Sequence, residues 1–119
     1  MANSFIWFDV AAAEEDVTAV TDFYASIFEG PFGPDTSDGP YEAWMMNGEQ
    51  PWAAVVRATD ATAGRWVPYV QVDDLDSAVE KAISNGGTVV HPESKGPAGT
   101  SVTIADPGGA LLALFKPFN

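Results

Sequence analysis

Reactive side chains are scarce in this sequence, and their spacing narrows the available chemistry at once. There is no cysteine among the 119 residues, which removes thiol nucleophiles, disulfides and zinc–thiolate centres together. The single histidine, His91, precedes Pro92. One imidazole does not make a metal centre, so it reads as a surface or loop-edge residue. Ser94, Ser101 and Thr103 have no sequence-visible base and orienting acid, so no nucleophilic triad emerges. Gly108 and Gly109 open no lysine-bearing helix and read as a hairpin rather than a phosphate cradle. What remains is aromatic. Trp7, Trp44, Trp52, Trp66, Tyr41, Tyr69, Phe5 and Phe115 all fall on strand candidates, with Asp9 and Gln71 on two of the same strands. An aromatic pocket with a few polar groups suits small-molecule binding, and a carboxylate beside aromatic faces suits a flat or cationic ligand.

The elements that must position these residues are marked most clearly between Trp66 and His91. From Trp66 to Val72 the chain alternates at period two, with Trp66, Pro68, Val70 and Val72 on one face and Val67, Tyr69 and Gln71 on the other. Asp73 and Asp74 offer acceptors and negative charge to the free N–H groups of a helix start. Leu75, Ala78, Val79, Ala82 and Ile83 form one apolar stripe, closed by Asn85, Gly86 and Gly87. Thr88 to His91 reads as the next strand, and Pro92 to Gly99 as a broken loop. Ser101 to Ala105 and Leu111 to Phe115 then flank the tight reversal Asp106-Pro107-Gly108-Gly109.

The first half repeats this order. Phe5 to Val10 alternates, with Ile6, Phe8 and Val10 on one face and Phe5, Trp7 and Asp9 on the other. Glu14, Glu15 and Asp16 precede a stripe of Val17, Val20, Phe23, Tyr24, Ile27 and Phe28, and the helix is expected to stop at Gly30. Pro31 to Pro40 reads as a mobile loop with at most a short extended piece around Phe32. Tyr41 to Met46 and Trp52 to Val56 follow as strands joined at Asn47 and Gly48, then a polar connector runs from Arg57 to Arg65. Strand, helix, glycine stop and three strand candidates thus occur twice, the pattern of a structural duplication.

Composition sets the outer limits. The length is that of one ordinary domain, able to bury a core without staples. Seventeen acidic residues against five basic ones give a formal charge of −12, which repels nucleic acid and anionic lipid. The acidity fits solubility or a salt-rich habitat, and alternatively an acidic groove for a cationic ligand. No apolar run reaches the roughly 18 residues of a membrane span. The start MANSFIWFDV lacks the basic and long apolar regions of a signal peptide, so the expected location is the cytoplasm.

FIWFDV followed by VTAVTDFYASIFEG, and then WVPYVQVDDLDSAVEKAISNGGTVV and ADPGGALLALFKP, carry a resemblance that covers nearly the whole chain. The sequence resembles the vicinal oxygen chelate superfamily, which groups glyoxalase I, extradiol dioxygenases and bleomycin-resistance proteins, and is most similar to its small bacterial glyoxalase-like members. The resemblance implies an α+β fold in one domain over residues 1–119. Two tandem βαβββ modules, about 5–57 and about 66–118, would form a cup-shaped mixed sheet with the helices outside.

The resemblance also implies a divalent metal held by His or Glu on the cup-facing side of four strands. Trp7, Val67 and Ala113 stand at three of those positions and the fourth falls in the Ala53 to Val55 region, where no side chain can ligate. No metal or other cofactor is therefore expected. The resemblance places Trp7, Tyr69 and Phe115 in the cup with Asp9 and Gln71, and Trp44 and Trp52 are further ligand-binding candidates. The expected function is binding or sequestering a small aromatic or cationic molecule, with no residue that demonstrates redox or hydrolytic chemistry, in the homodimer that small members commonly form. Two alternatives stay open. One is a lyase, isomerase or dioxygenase with an atypical metal site on Asp9 and Glu42, and the other is a regulatory or interaction module whose aromatic face meets another protein.

Overall fold

A computed structural model of the chain describes residues 4–28, 32–34 and 40–118. Among them the elements run β1 (Phe5–Ala12), α1 (Val17–Ile27), β2 (Phe32–Pro34), β3 (Tyr41–Asn47), β4 (Gln50–Arg57), β5 (Arg65–Gln71), α2 (Leu75–Ser84), β6 (Thr88–Lys95), β7 (Gly99–Ala105) and β8 (Leu111–Pro117). The fold is α+β, with the order βαβββ occurring twice. The chain divides into two compact units, Phe8–Trp66 and Met1–Trp7 with Val67–Asn119. The connector after β4 thus goes with the first unit, and the first residues of β1 go with the second.

Within the first unit the strands lie in the order β2-β3-β4-β1, with β1 parallel to β4 and the other pairs antiparallel. The second unit repeats this as β5-β8-β7-β6, with β5 parallel to β8. In both, the entering strand pairs with the last strand of its unit, because the helix crossover returns it parallel while the hairpins run antiparallel. The duplication read from element order is therefore a duplication of topology.

Each helix packs on one face of its own strands. In the first unit Val10, Ala12, Val17, Met45, Ala53 and Val55 form the buried cluster, joined by Phe8, Val20, Tyr24, Phe28, Phe32 and Trp66. The expected stripe of α1 is narrower than its sequence suggests, since Phe23 and Ile27 are 56% and 54% exposed. Tyr24 and Phe28, stacked at 5.4 Å, are the aromatic residues of α1 and its end that pack on the buried cluster. The helix ends at Ile27, where Phe28 turns extended while its N–H still donates to the Tyr24 carbonyl at 2.9 Å. The expected stop at Gly30 lies outside the described residues.

In the second unit Leu75, Val102, Ile104 and Leu114 are buried, with Val70, Val72, Ala78, Val79, Ala82 and Leu112 packed around them. Asp74 caps α2 by accepting from the Ser77 N–H at 3.0 Å, satisfying one of the helix's orphan donors. Gly86 closes the helix at φ +96°, a conformation that costs other residues a Cβ clash. Ile83, expected in the apolar stripe, is 53% exposed.

Three local expectations shift. The β3–β4 turn centres on Gly48 and Glu49, one residue later than Asn47-Gly48, because Asn47 pairs with Gln50; Gly48 takes φ +66° at the first turn position. The Pro31 to Pro40 loop contains β2, and residues 35–39 lie outside the described residues. Strand β6 continues through Pro92 to Lys95 instead of breaking at His91. Proline is tolerated there because β6 is the outer strand of its unit and the pairing slips between His91 and Ser94.

Candidate functional site

The faces turned away from α1 and α2 carry most of the residues singled out above, and strand register sets them in rows. In the second unit Tyr69, Ala113, Thr103 and His91 are successive cross-strand partners over β5, β8, β7 and β6. The next row is Gln71, Phe115, Ser101 and Ser94. Paired residues share a face, and Val70, Val102, Ile104 and Leu114 go to the opposite one, against α2. The rings of Tyr69 and Phe115 meet edge to face at 6.1 Å, within the range of favourable aromatic pairs. Ala113 beneath them is fully buried and Thr103 is nearly so; Tyr69, Phe115, Ser101, Ser94 and His91 are half-buried, and Gln71 is exposed.

Gly99 makes the position of the Phe115 ring possible. A methyl group on Gly99 would collide with the Lys116 carbonyl oxygen and stand 2.7 Å from two ring carbons of Phe115. The ring thus lies over bare backbone, a device that shields a strand glycine.

His91 reaches this face by a route the alternation hides. Val89 pairs with Ile104, on the α2 side, and His91 pairs with Thr103, on the other. Two residues of β6 advance against one of β7, so the bulge at Val90 reverses the phase. The expectation of a loop-edge histidine is corrected to a strand residue in the Tyr69 row.

In the first unit Asp9, Ala54, Trp44 and Gly33 form the corresponding row. Asp9 is 4% exposed, a carboxylate whose burial demands polar partners. Trp44 stacks on Tyr41 at 4.8 Å with an interplanar angle of 22°. Tyr41 and Trp44 share a face although three residues apart, because the β3–β4 register shifts at Glu42. Trp7 is half-buried in β1.

Trp52 departs from its expected companions. The register shift between Met45 and Met46 makes Trp52 the extra residue of β4, and the bulge turns it to the helix side. There it meets Phe28 of α1 at 5.6 Å and Phe8 at 6.3 Å. Trp66 and Phe8 pack on α1 as their phase indicated.

Glu42 does not join Asp9. Its carboxylate accepts from Arg57 Nη1 at 2.8 Å, and Arg57 Nε also lies 3.5 Å from Glu14. Arg57 pairs with Ala12 on the helix side of β1, the face opposite Asp9. The Glu42 carboxylate is thus directed to Arg57, while Asp9 lies in the row of Ala54 and Trp44. Among the described residues no three His, Asp or Glu side chains converge as a metal cluster.

A glyoxalase-like domain model matches residues 8–115. The chain belongs to the glyoxalase-like domain family. That family lies within the vicinal oxygen chelate superfamily, as the strand and helix order indicates. The glyoxalase-like chain is 31% identical over 117 residues to CFP32 of Mycobacterium bovis and of Mycobacterium tuberculosis, named as a candidate glyoxylase. The alignment covers 92% of this chain and 44% of CFP32, so the chain spans less than half the length of those relatives. Methylmalonyl-CoA epimerase from Mycobacterium tuberculosis shares the fold at a TM-score of 0.56 and 18% identity, over 97% of this chain and 88% of the epimerase. A protein from Staphylococcus aureus does so at 0.59 and 14%, over 99% and 100% of the two chains.

The side chains at the positions for which the resemblance implies metal ligands offer no donor suited to a divalent ion. Val67 and Ala113 are buried hydrocarbon, as are Ala53, Ala54 and Val55, and the indole of Trp7 offers a proton donor rather than a lone pair. Among the described residues no helix is long and apolar enough to cross a membrane.

Proposed function

We propose that this glyoxalase-like chain binds a small aromatic molecule on the sheet face of the second unit turned away from α2, without a divalent metal and without chemical conversion. The observation that carries the reading is the edge-to-face pair of Tyr69 and Phe115 over buried Ala113, an apolar aromatic surface where the superfamily places metal ligands. Flat ligands gain dispersion and quadrupole contact on such rings. Trp7 and Gln71 of the same unit add an indole and an amide, and in the first unit Trp44 and buried Asp9 offer an aromatic face and a carboxylate of their own on the corresponding row. Trp52 is outside this set because it packs on α1. The reading includes sequestration in the cytoplasm by a homodimer, whose mass is checked by light scattering at low and high salt.

A fluorescence titration with proflavine, a planar aromatic cation, tests the proposal. Trp7→Ala is expected to cost about 2 kcal/mol of binding, roughly thirtyfold in Kd. Trp66→Ala serves as the control, lowering stability more than affinity. Unchanged affinity in Trp7→Ala and in Phe115→Ala contradicts the proposal.

A further inference from the structure

We propose that His91, Ser94, Ser101 and Thr103 form the polar end of the ligand site, so that the ligand is an aromatic molecule carrying an acceptor oxygen, a carboxylate or a carbonyl. The inference rests on the reading of the Tyr69–Phe115 face as the binding face and names the chemistry recognised beside it.

His91 pairs with Thr103 and Ser94 with Ser101, on the face that carries Tyr69 and Phe115. One imidazole and three hydroxyls are thus gathered on the outer two strands of the second unit. The imidazole N–H and each hydroxyl can donate to oxygen. The two rows, Tyr69-Ala113-Thr103-His91 and Gln71-Phe115-Ser101-Ser94, contain no carboxylate. In a chain of formal charge −12, an acceptor oxygen seated on these two rows meets donors and aromatic rings without a carboxylate among the row residues themselves. Strands lie about 4.8 Å apart, so His91 and Phe115, two strands apart, are separated laterally by roughly 10 Å. A bicyclic ring with one oxygen-bearing substituent spans that distance. The fully buried Ala113 and nearly buried Thr103 form the low floor between. His91 stands on this side only because of the bulge at Val90, and bulges frequently re-aim side chains beside functional sites.

His91 is the only histidine in the chain, so its imidazole proton resonances are unambiguous in an NMR titration of the full chain. The probes are 2-naphthoate, 2-naphthamide and 2-methylnaphthalene. The oxygen-bearing probes are expected to shift the His91 resonances and to bind about tenfold more tightly than the methyl compound. His91→Ala and Ser101→Ala, checked for an unchanged melting transition, remove that advantage and leave 2-methylnaphthalene unaffected. His91→Gln, which keeps a donor, restores part of it. Loss of the advantage for both oxygenated probes assigns a carbonyl, and loss for naphthoate alone assigns a carboxylate; both outcomes support the site. Equal weakening of all three probes in His91→Ala, or weakening of none, overturns it. The aromatic reading then survives if Phe115→Ala still abolishes binding of every probe. Failure of all three probes to bind the unaltered chain overturns both.

Discussion

The indole N–H of Trp66 donates to the Tyr24 hydroxyl at 2.9 Å, and their ring centroids lie 5.2 Å apart at 79°. This pair ties the start of β5 to α1 inside the first unit, adding a directed bond to an aromatic cluster that already includes Phe28 and Phe23. Trp66→Phe keeps most of the buried ring and removes the donor. Chemical denaturation is expected to show a loss of about 1 kcal/mol, and Trp66→Ala a loss of roughly 3 kcal/mol. Equal losses for the two variants would mean that the hydrogen bond, rather than the packing, dominates.

Gly99→Ala drives a methyl group against the Lys116 carbonyl and into the Phe115 ring. The backbone contact cannot relax by a rotamer change, so the expected cost is about 2 kcal/mol, in the range of overpacking. The displaced ring should also weaken binding of planar probes. A Gly99→Ala variant with unchanged melting temperature contradicts the close approach.

Asp106 organises the reversal between β7 and β8 through one carboxylate oxygen, which accepts from the N–H groups of Gly108 at 2.8 Å and Ala110 at 2.9 Å. Turn geometry sets hairpin register, and this register aligns Ser101 with Phe115 and Thr103 with Ala113. Asp106→Ala is expected to destabilise the chain by about 1 kcal/mol, with Asp106→Asn recovering part of that. Hydrogen exchange should quicken at the turn end of β7 and β8 before it does elsewhere.

Mutual repulsion among the carboxylates of a −12 chain is screened by salt. Among the described residues Arg57 makes ion pairs with Glu14 and Glu42, but they are partly exposed and contribute little. Melting temperature is therefore expected to rise by several degrees between about 0.1 and 1 M sodium chloride. A flat response would show that the charges are too dispersed to repel measurably.

Much of the architecture was legible because it is written in period and punctuation. The alternation of Trp66 to Val72, the Asp74 cap and the Gly86 stop mark strand, helix start and helix end in the right order, and the repetition of that order announced two similar units. The bulges were not legible. A register shift needs one more residue on one strand than on its partner, and nothing local in Val90, Glu42 or Trp52 signals it, since the cause is the fit between two strands. Those shifts explain why Trp52 lies against α1, why Tyr41 stacks on Trp44, and why His91 shares a face with Tyr69. The exposed Phe23, Ile27 and Ile83 show a related limit: helical spacing identifies an apolar stripe, while the width that is covered depends on the bulk opposite it.

The central claim is that this glyoxalase-like chain binds an aromatic molecule without a metal, and one measurement bears on it most directly. Proflavine affinity is compared before treatment, after exhaustive removal of divalent ions with a chelator, and after adding back manganese, iron, nickel or zinc, in the unaltered chain and in Phe115→Ala. The account predicts the same affinity in all metal states and a loss of tenfold or more in Phe115→Ala, on the order expected for a buried aromatic contact. Binding that vanishes with the chelator and returns with a divalent ion would contradict it.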